Sequence, residues 1–227
     1  HFVQFQVPGG SYVEIEADAF QSDECPGLTG TTPPAQTTRC DPAEDEDSTE
    51  YKAYADVTDL VNDAGSGTYT VANVSGQMGI DDDEAGWVLA VVYRSPSEPT
   101  RHVSIYDWNL GRYGGGAPDR TITPSGFLTP LSGPLSGRFW AVITDGDQND
   151  DDTLRFNGTD LVNAENPLED TGKGTITIFG THVTTRNPAE LNTLGSLDID
   201  EFDVSSLLSN GDTEADIGLP SLSGEEN

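Results

Sequence analysis

Residues 79–93 read Gly-Ile-Asp-Asp-Asp-Glu-Ala-Gly-Trp-Val-Leu-Ala-Val-Val-Tyr, four acids that run through one glycine into the longest apolar run of the chain. A membrane span needs about 20 apolar residues, far more than Trp87–Tyr93 supplies. Val88, Val91 and Val92 are β-branched, and Trp87 and Tyr93 are aromatic. With no polar alternation, the run predicts a central β-strand covered on both faces. The acids before it, Asp81, Asp82, Asp83 and Glu84, are too costly to bury unpaired and are expected to face water or a cation.

Two further junctions repeat this pattern. Phe139–Ile143, F-W-A-V-I, runs into D-G-D-Q-N-D-D-D at 145–152, and L-D-I-D-E-F-D-V spans 197–204. Alternating strand signals occur at 2–7 and 12–16, around Pro8-Gly9-Gly10, and at 68–74, 102–108 and 175–179. The pieces T-L-R-F and T-D-L-V flank Asn157-Gly158, the strongest short-range hairpin signal. One helix is expected in 51–62, burying Ala55, Val57, Leu60 and Val61, with Asp56 as cap and Gly65 as stop. These signals predict an all-β chain, an antiparallel β-sandwich of jelly-roll or immunoglobulin-like type with at most one or two short helices. Residues 1–50 are expected to form N-terminal strands and a disulfide-closed acidic loop, and residues 51–227 the sandwich domain.

Forty acids against ten bases give a formal charge of −30. That field repels nucleic acid and anionic membrane surfaces and favours cations. Two environments suit it, a high-salt habitat or an extracellular medium in which calcium bridges carboxylates, and composition does not separate them. Cys25 and Cys40 lie in a Pro/Thr/Gly-rich loop without zinc or redox spacing, so a disulfide is expected, and with it an oxidising, extracellular location. Acceptor triplets at Asn73 and Asn157 agree with glycosylation there. No leader or membrane span is read in the sequence, and a chain opening at His1 is expected to be processed or part of a longer product.

No catalytic motif stands out among the three dispersed histidines, and forty acids make carboxylate pairing uninformative about glycoside hydrolysis. Calcium is the expected cofactor. Asp145, Asp147, Asn149 and Asp151 have the two-residue spacing of the first half of a calcium loop, but Gly146 and Phe156 stand where such a loop needs other residues. Asp81 and Asp83 form a weaker candidate. The third lies at Asp198, Asp200, Glu201 and Asp203, where alternation puts the Asp198 and Asp200 carboxylates on one face of a strand.

In order and spacing, Y-K-A-Y-A-D-V-T-D-L-V, G-T-Y-T-V-A-N-V, A-G-W-V-L-A-V-V-Y-R-S-P, S-G-F-L-T-P and T-H-V-T-T-R-N-P-A-E-L-N-T-L-G-S-L-D-I-D resemble a β-rich module of large secreted prokaryotic surface proteins, often placed ahead of repeated immunoglobulin-like adhesin domains. The resemblance spans roughly 51–220. It implies a non-enzymatic extracellular module of adhesins or surface structures and brings no catalytic residues with it. The chain departs from that module in its acid excess and its N-terminal cysteine segment, and it stops before the module's usual final strand. An edge left open in this way invites strand donation from another copy, with Phe2, Val3, Phe5 and Val7 as subunit contacts. The expected function is a structural subunit of a surface filament or adhesin, stabilised by calcium or salt, whose partners are copies of itself or other surface proteins. The alternative is a carbohydrate-binding or glycoside-active module. Trp87 and Trp140 are expected to be buried, which leaves Trp108 as the only sugar-stacking platform.

Overall fold

The computed structural model describes residues 2–23, 50–74, 86–106, 120–143, 153–168, 170–184 and 197–219. Among the described residues the chain is all-β with one short α-helix, and it divides into two compact units, His1–Val88 and Leu89–Asn227. No helix among the described residues is long and apolar enough to cross a membrane.

In the first unit, β1 (Phe2–Gln6) and β2 (Tyr12–Glu16) form the expected hairpin, and β5 (Thr70–Ala72) pairs with the other edge of β1. The strand expected at a sheet edge, or in a neighbour's sheet, is therefore central in its own. Phe5 is buried and stacks on Tyr69 with ring centroids 5.8 Å apart. β3 (Ala19–Asp23) pairs with β4 (Glu50–Tyr54). The first part of the expected helix is thus strand, and α1 is shorter, Thr58–Ala64. Asp56 Oδ1 accepts the Thr58 amide at 2.9 Å, and Gly65 ends the helix at φ 68°, a left-handed value that glycine adopts without strain.

The described residues of the second unit form two four-stranded sheets. In the first the order is β11 (Thr181–His182), β10 (Ile176–Ile178), β12 (Asp198–Asp203), β7 (Arg138–Ile143); in the second it is β6 (Arg120–Ile122), β13 (Ile217–Leu219), β8 (Arg155–Phe156), β9 (Thr159–Asp160). Ala141 and Phe202 of one sheet share a core with Phe156 and Ile217 of the other, and Leu154, Leu161, Val204 and Ala215 complete it. The Phe139 and Phe156 rings, 5.6 Å apart, join the layers. This is sandwich packing, antiparallel throughout except that β10 runs parallel to β12. The β8–β9 hairpin turns on Asn157 and Gly158, both at positive φ as a type I′ turn requires.

Two apolar runs depart from expectation. Trp87–Tyr93 joins no ladder among the described residues, and Tyr93 is 77% exposed. A run without alternation needs cover on both faces; the described residues supply none, and the boundary between units falls inside it, after Val88. The described part of 102–108 is likewise unpaired, with Val103 and Ile105 exposed. Phe139–Ile143 does form a strand, but at a sheet edge with one covered face. Trp140 is 58% exposed, opposite in direction to buried Ala141. Neither Trp87 nor Trp140 is the buried residue expected, because neither run is enclosed on both sides.

Candidate functional site

β12 is an inner strand of its sheet, between β10 and β7, and carries four acids. Alternation sends Asp198, Asp200 and Phe202 inward, and their register partners on β7, Ile143, Ala141 and Phe139, line the same face. The two carboxylates are therefore carried on the core side of the sandwich, both fully buried. On the other side β12 pairs with β10 so that Thr177 stands beside Asp200.

Each carboxylate is held by one of its oxygens. Asp198 Oδ2 accepts the backbone amides of Lys173 at 2.8 Å and Thr175 at 3.1 Å. Asp200 Oδ1 accepts the Thr177 hydroxyl, which also lies 3.2 Å from Asn166 Oδ1. Asn166, itself fully buried, donates Nδ2 to the Thr171 carbonyl at 3.2 Å, and Asn163 Oδ1 receives the Asn166 amide at 3.0 Å. The segment 163–177 is thereby folded around the pair.

The remaining oxygens, Asp198 Oδ1 and Asp200 Oδ2, have no hydrogen-bond partner, nor has the buried Thr175 hydroxyl. Two ionised carboxylates offer each other no donor, so a hydrogen bond between Asp198 and Asp200 requires a proton on one of them. Burial pushes the Asp198 carboxyl up to about 8, with the Asp200 hydrogen bond and charge adding to the rise and the Thr175 and Lys173 amides opposing it.

Glu201 projects to the opposite face, also buried, and meets Arg138 Nη1 at 3.1 Å; the Arg138 guanidinium lies 5.0 Å from the centre of the Phe179 ring. Asp203, at the strand's end, is exposed and accepts the Ser205 amide at 2.9 Å. That bond and the Ser205 hydroxyl hold its carboxyl below the ordinary range, with a further contribution from Arg138.

Of the three expected metal sites, the structure places Asp198 and Asp200 together but turns Glu201 to the other face and leaves Asp203 at the open end. Asp145, Asp147, Asn149 and Asp151, together with Asp81 and Asp83, lie outside the described residues, as do Cys25, Cys40 and Trp108. Among the described residues no three His, Cys, Asp or Glu side chains converge as a metal group. The partners the structure brings to the aspartates, the Lys173 and Thr175 amides and the Thr177 hydroxyl backed by Asn166, were not included in the sequence reading. The polar pattern T-x-T beside D-x-D, each at strand period, was the available signal.

Asn73 is exposed at φ 61°. The Asn157 side chain ties three segments, donating to the Leu207 carbonyl at 2.8 Å and accepting the Asp216 amide at 2.8 Å. Phe2–Gln6 has both backbone edges engaged within its own sheet, so its donation to another copy requires that sheet to open. An open hollow of about 390 Å³ lies beside Asn157, Asp212, Glu214 and Asp216. The Asp212 carboxylate there already accepts the Ser209 amide, and that of Asp216 the Thr123 hydroxyl.

A family model described as "Protein of unknown function (DUF3344)" matches residues 6–221. No curated protein matches the chain, and no solved structure does.

Proposed function

We propose, for a chain that belongs to the DUF3344 family, a structural role: a non-enzymatic extracellular subunit of a surface filament or adhesin that associates with further copies through a sheet edge. The observation that carries this reading is β7. It is six residues long, lies at the edge of its sheet, and no strand among the described residues occupies its outer side. It presents Trp140 and Val142, both half exposed or more, along an edge that pairs with no strand among the described residues. An apolar edge of that length is a template for strand addition unless charge, proline or a covering segment blocks it. The densest polar arrangement, around Asp198 and Asp200, supports the same reading, since carboxylates sealed in a core serve the fold rather than a substrate.

The test is assembly state by sedimentation and electron microscopy, for the native chain and for a Trp140→Lys/Val142→Lys variant. Oligomers in the native chain that disappear in the folded variant support the proposal. A native chain that stays monomeric at high concentration overturns it. A second reading, sugar binding, gains from the exposure of Trp140, an aromatic on an open sheet face. Saturable oligosaccharide binding by a monomer, lost in Trp140→Ala, would favour it over the filament.

A further inference from the structure

Asp198 and Asp200 set two carboxylates side by side on the buried, core-facing side of β12. The acids themselves do not make a site; the buried atoms around them carry the argument. Each carboxylate has one oxygen anchored, by two backbone amides for Asp198 and by a threonine hydroxyl for Asp200, and the other oxygen left without a partner. Anchoring one oxygen of a ligand while presenting the other is how outer hydrogen bonds orient metal-binding carboxylates. The Thr175 hydroxyl, fully buried and also unpartnered, belongs to the same face: its amide bonds Asp198 Oδ2, and Thr177, two residues on, reaches Asp200.

We propose that Asp198 Oδ1, Asp200 Oδ2 and the Thr175 hydroxyl form an inward-facing site for one hard divalent cation, calcium being the ion these donors suit. All three donors are oxygen, and there is no nitrogen or sulfur among them to favour zinc or copper. One proton between the carboxylates would leave a negative charge buried in the core. A divalent ion balances both charges and engages the threonine as well. Asn166 is a positioning residue. It holds the Thr171 carbonyl and meets the Thr177 hydroxyl, so it shapes the loop that closes over the pair. Because the carboxylates are sealed, the ion is taken up as this part of the chain folds, and its release requires the 171–175 segment to open. The site stands independently of the filament reading, since it concerns the stability of the monomer.

The experiment uses the full chain stripped with chelator, then melted at neutral pH in calcium chloride, in magnesium chloride, or in potassium chloride of equal ionic strength. Bound metal is counted after gel filtration. Calcium at a hundred times its dissociation constant is expected to raise Tm by about 5–10 °C. Potassium should not match it. Asp198→Asn and Asp200→Asn should each abolish that saturable increment, because each replaces one of the two carboxylate donors by a neutral amide. The increment should persist in an Asp145→Asn/Asp147→Asn/Asp151→Asn variant, which removes the competing acids of that loop. Equal melting in calcium and potassium, or a calcium increment that survives in both single variants, would overturn the proposal. If either single variant does not fold, metal counting on the 145–151 variant decides: one retained calcium per chain supports the site, and none refutes it.

Discussion

Asp200 and Glu201 are neighbours on β12, both buried and both acidic, yet they live in opposite circumstances. Glu201 faces the side where Arg138 meets it at 3.1 Å, whereas Asp200 faces the core and has Asp198 beside it, a like charge. One step along a strand reverses the face, so a single hexapeptide, D-I-D-E-F-D, builds one carboxylate met by a guanidinium and one pair of like charges back to back. Burial alone therefore does not say what an acid is for. The partner on its own side does.

The strongest way to sharpen this contrast is to remove apolar contact on each face separately. Phe202, inward and 5% exposed, should lose about 3–5 kcal/mol on conversion to Ala. Trp140→Ala on the outer face should stay near the ~0.5 kcal/mol of ordinary surface changes. Urea unfolding of both variants measures the difference, and similar losses would mean that the outer face is covered after all.

The next effect is pH dependence in chelator. The Asp198 carboxyl is raised from 3.8 to about 8 by burial first and by Asp200 second. The folded state thus holds a proton that the unfolded chain releases, so this contribution is complete below pH ~3.8 and is lost as pH rises through about 8. Titratable neighbours are few. His182 pairs with Thr177 in register and so shares the aspartates' face, while Glu201 and Arg138 lie on the other. Tm in chelator should fall from pH 5 to pH 8, and Asp198→Asn should flatten that slope. An unchanged slope would mean that another group is responsible.

Breaking the compensated side comes third. Arg138→Ala leaves Glu201 buried without its cation, a loss of about 1–3 kcal/mol given that the arginine is itself half exposed. Arg138→Ala/Glu201→Gln should recover most of it. A double variant no better than the single one would show that Arg138 acts through its packing on Phe179.

How far the sequence could be read follows the same division between local and distant partners. The Asn157-Gly158 hairpin was legible because the turn's positive φ values belong to those two residues alone. Asp198 and Asp200 on one face were legible because strand period is local. Thr175 was not: it reaches Asp198 from 23 residues away, through a parallel β10–β12 pairing that no local pattern encodes. Nor could Trp87–Tyr93 be placed, since an apolar run says that it wants cover and does not say whether a layer arrives. Tyr51–Tyr54 read as helix because its alanine and tyrosines suit either state, and its pairing with β3 decided for strand.

The smallest effect lies at the exposed end of β12 and runs against the Asp198 trend. Asp203 accepts the Ser205 amide, and its carboxyl is held below 3.8 by Ser205 first and Arg138 last. A depressed carboxyl contributes stability above its unfolded value, and that contribution disappears as pH falls through the lower folded value. Exposure keeps it small: Asp203→Ala should cost about 0.5 kcal/mol near neutrality, at the low end for a capping side chain. The same strand thus loses stability with acid at one end and with alkali at the other. Melting Asp203→Ala in chelator across pH 2–9 separates them, because the variant should differ from the native chain by a constant offset above 3.8, an offset that shrinks as pH falls below that value. An offset that grows toward pH 8 would couple Asp203 to the buried pair, and the strand's two ends would then have to be treated as one titrating system.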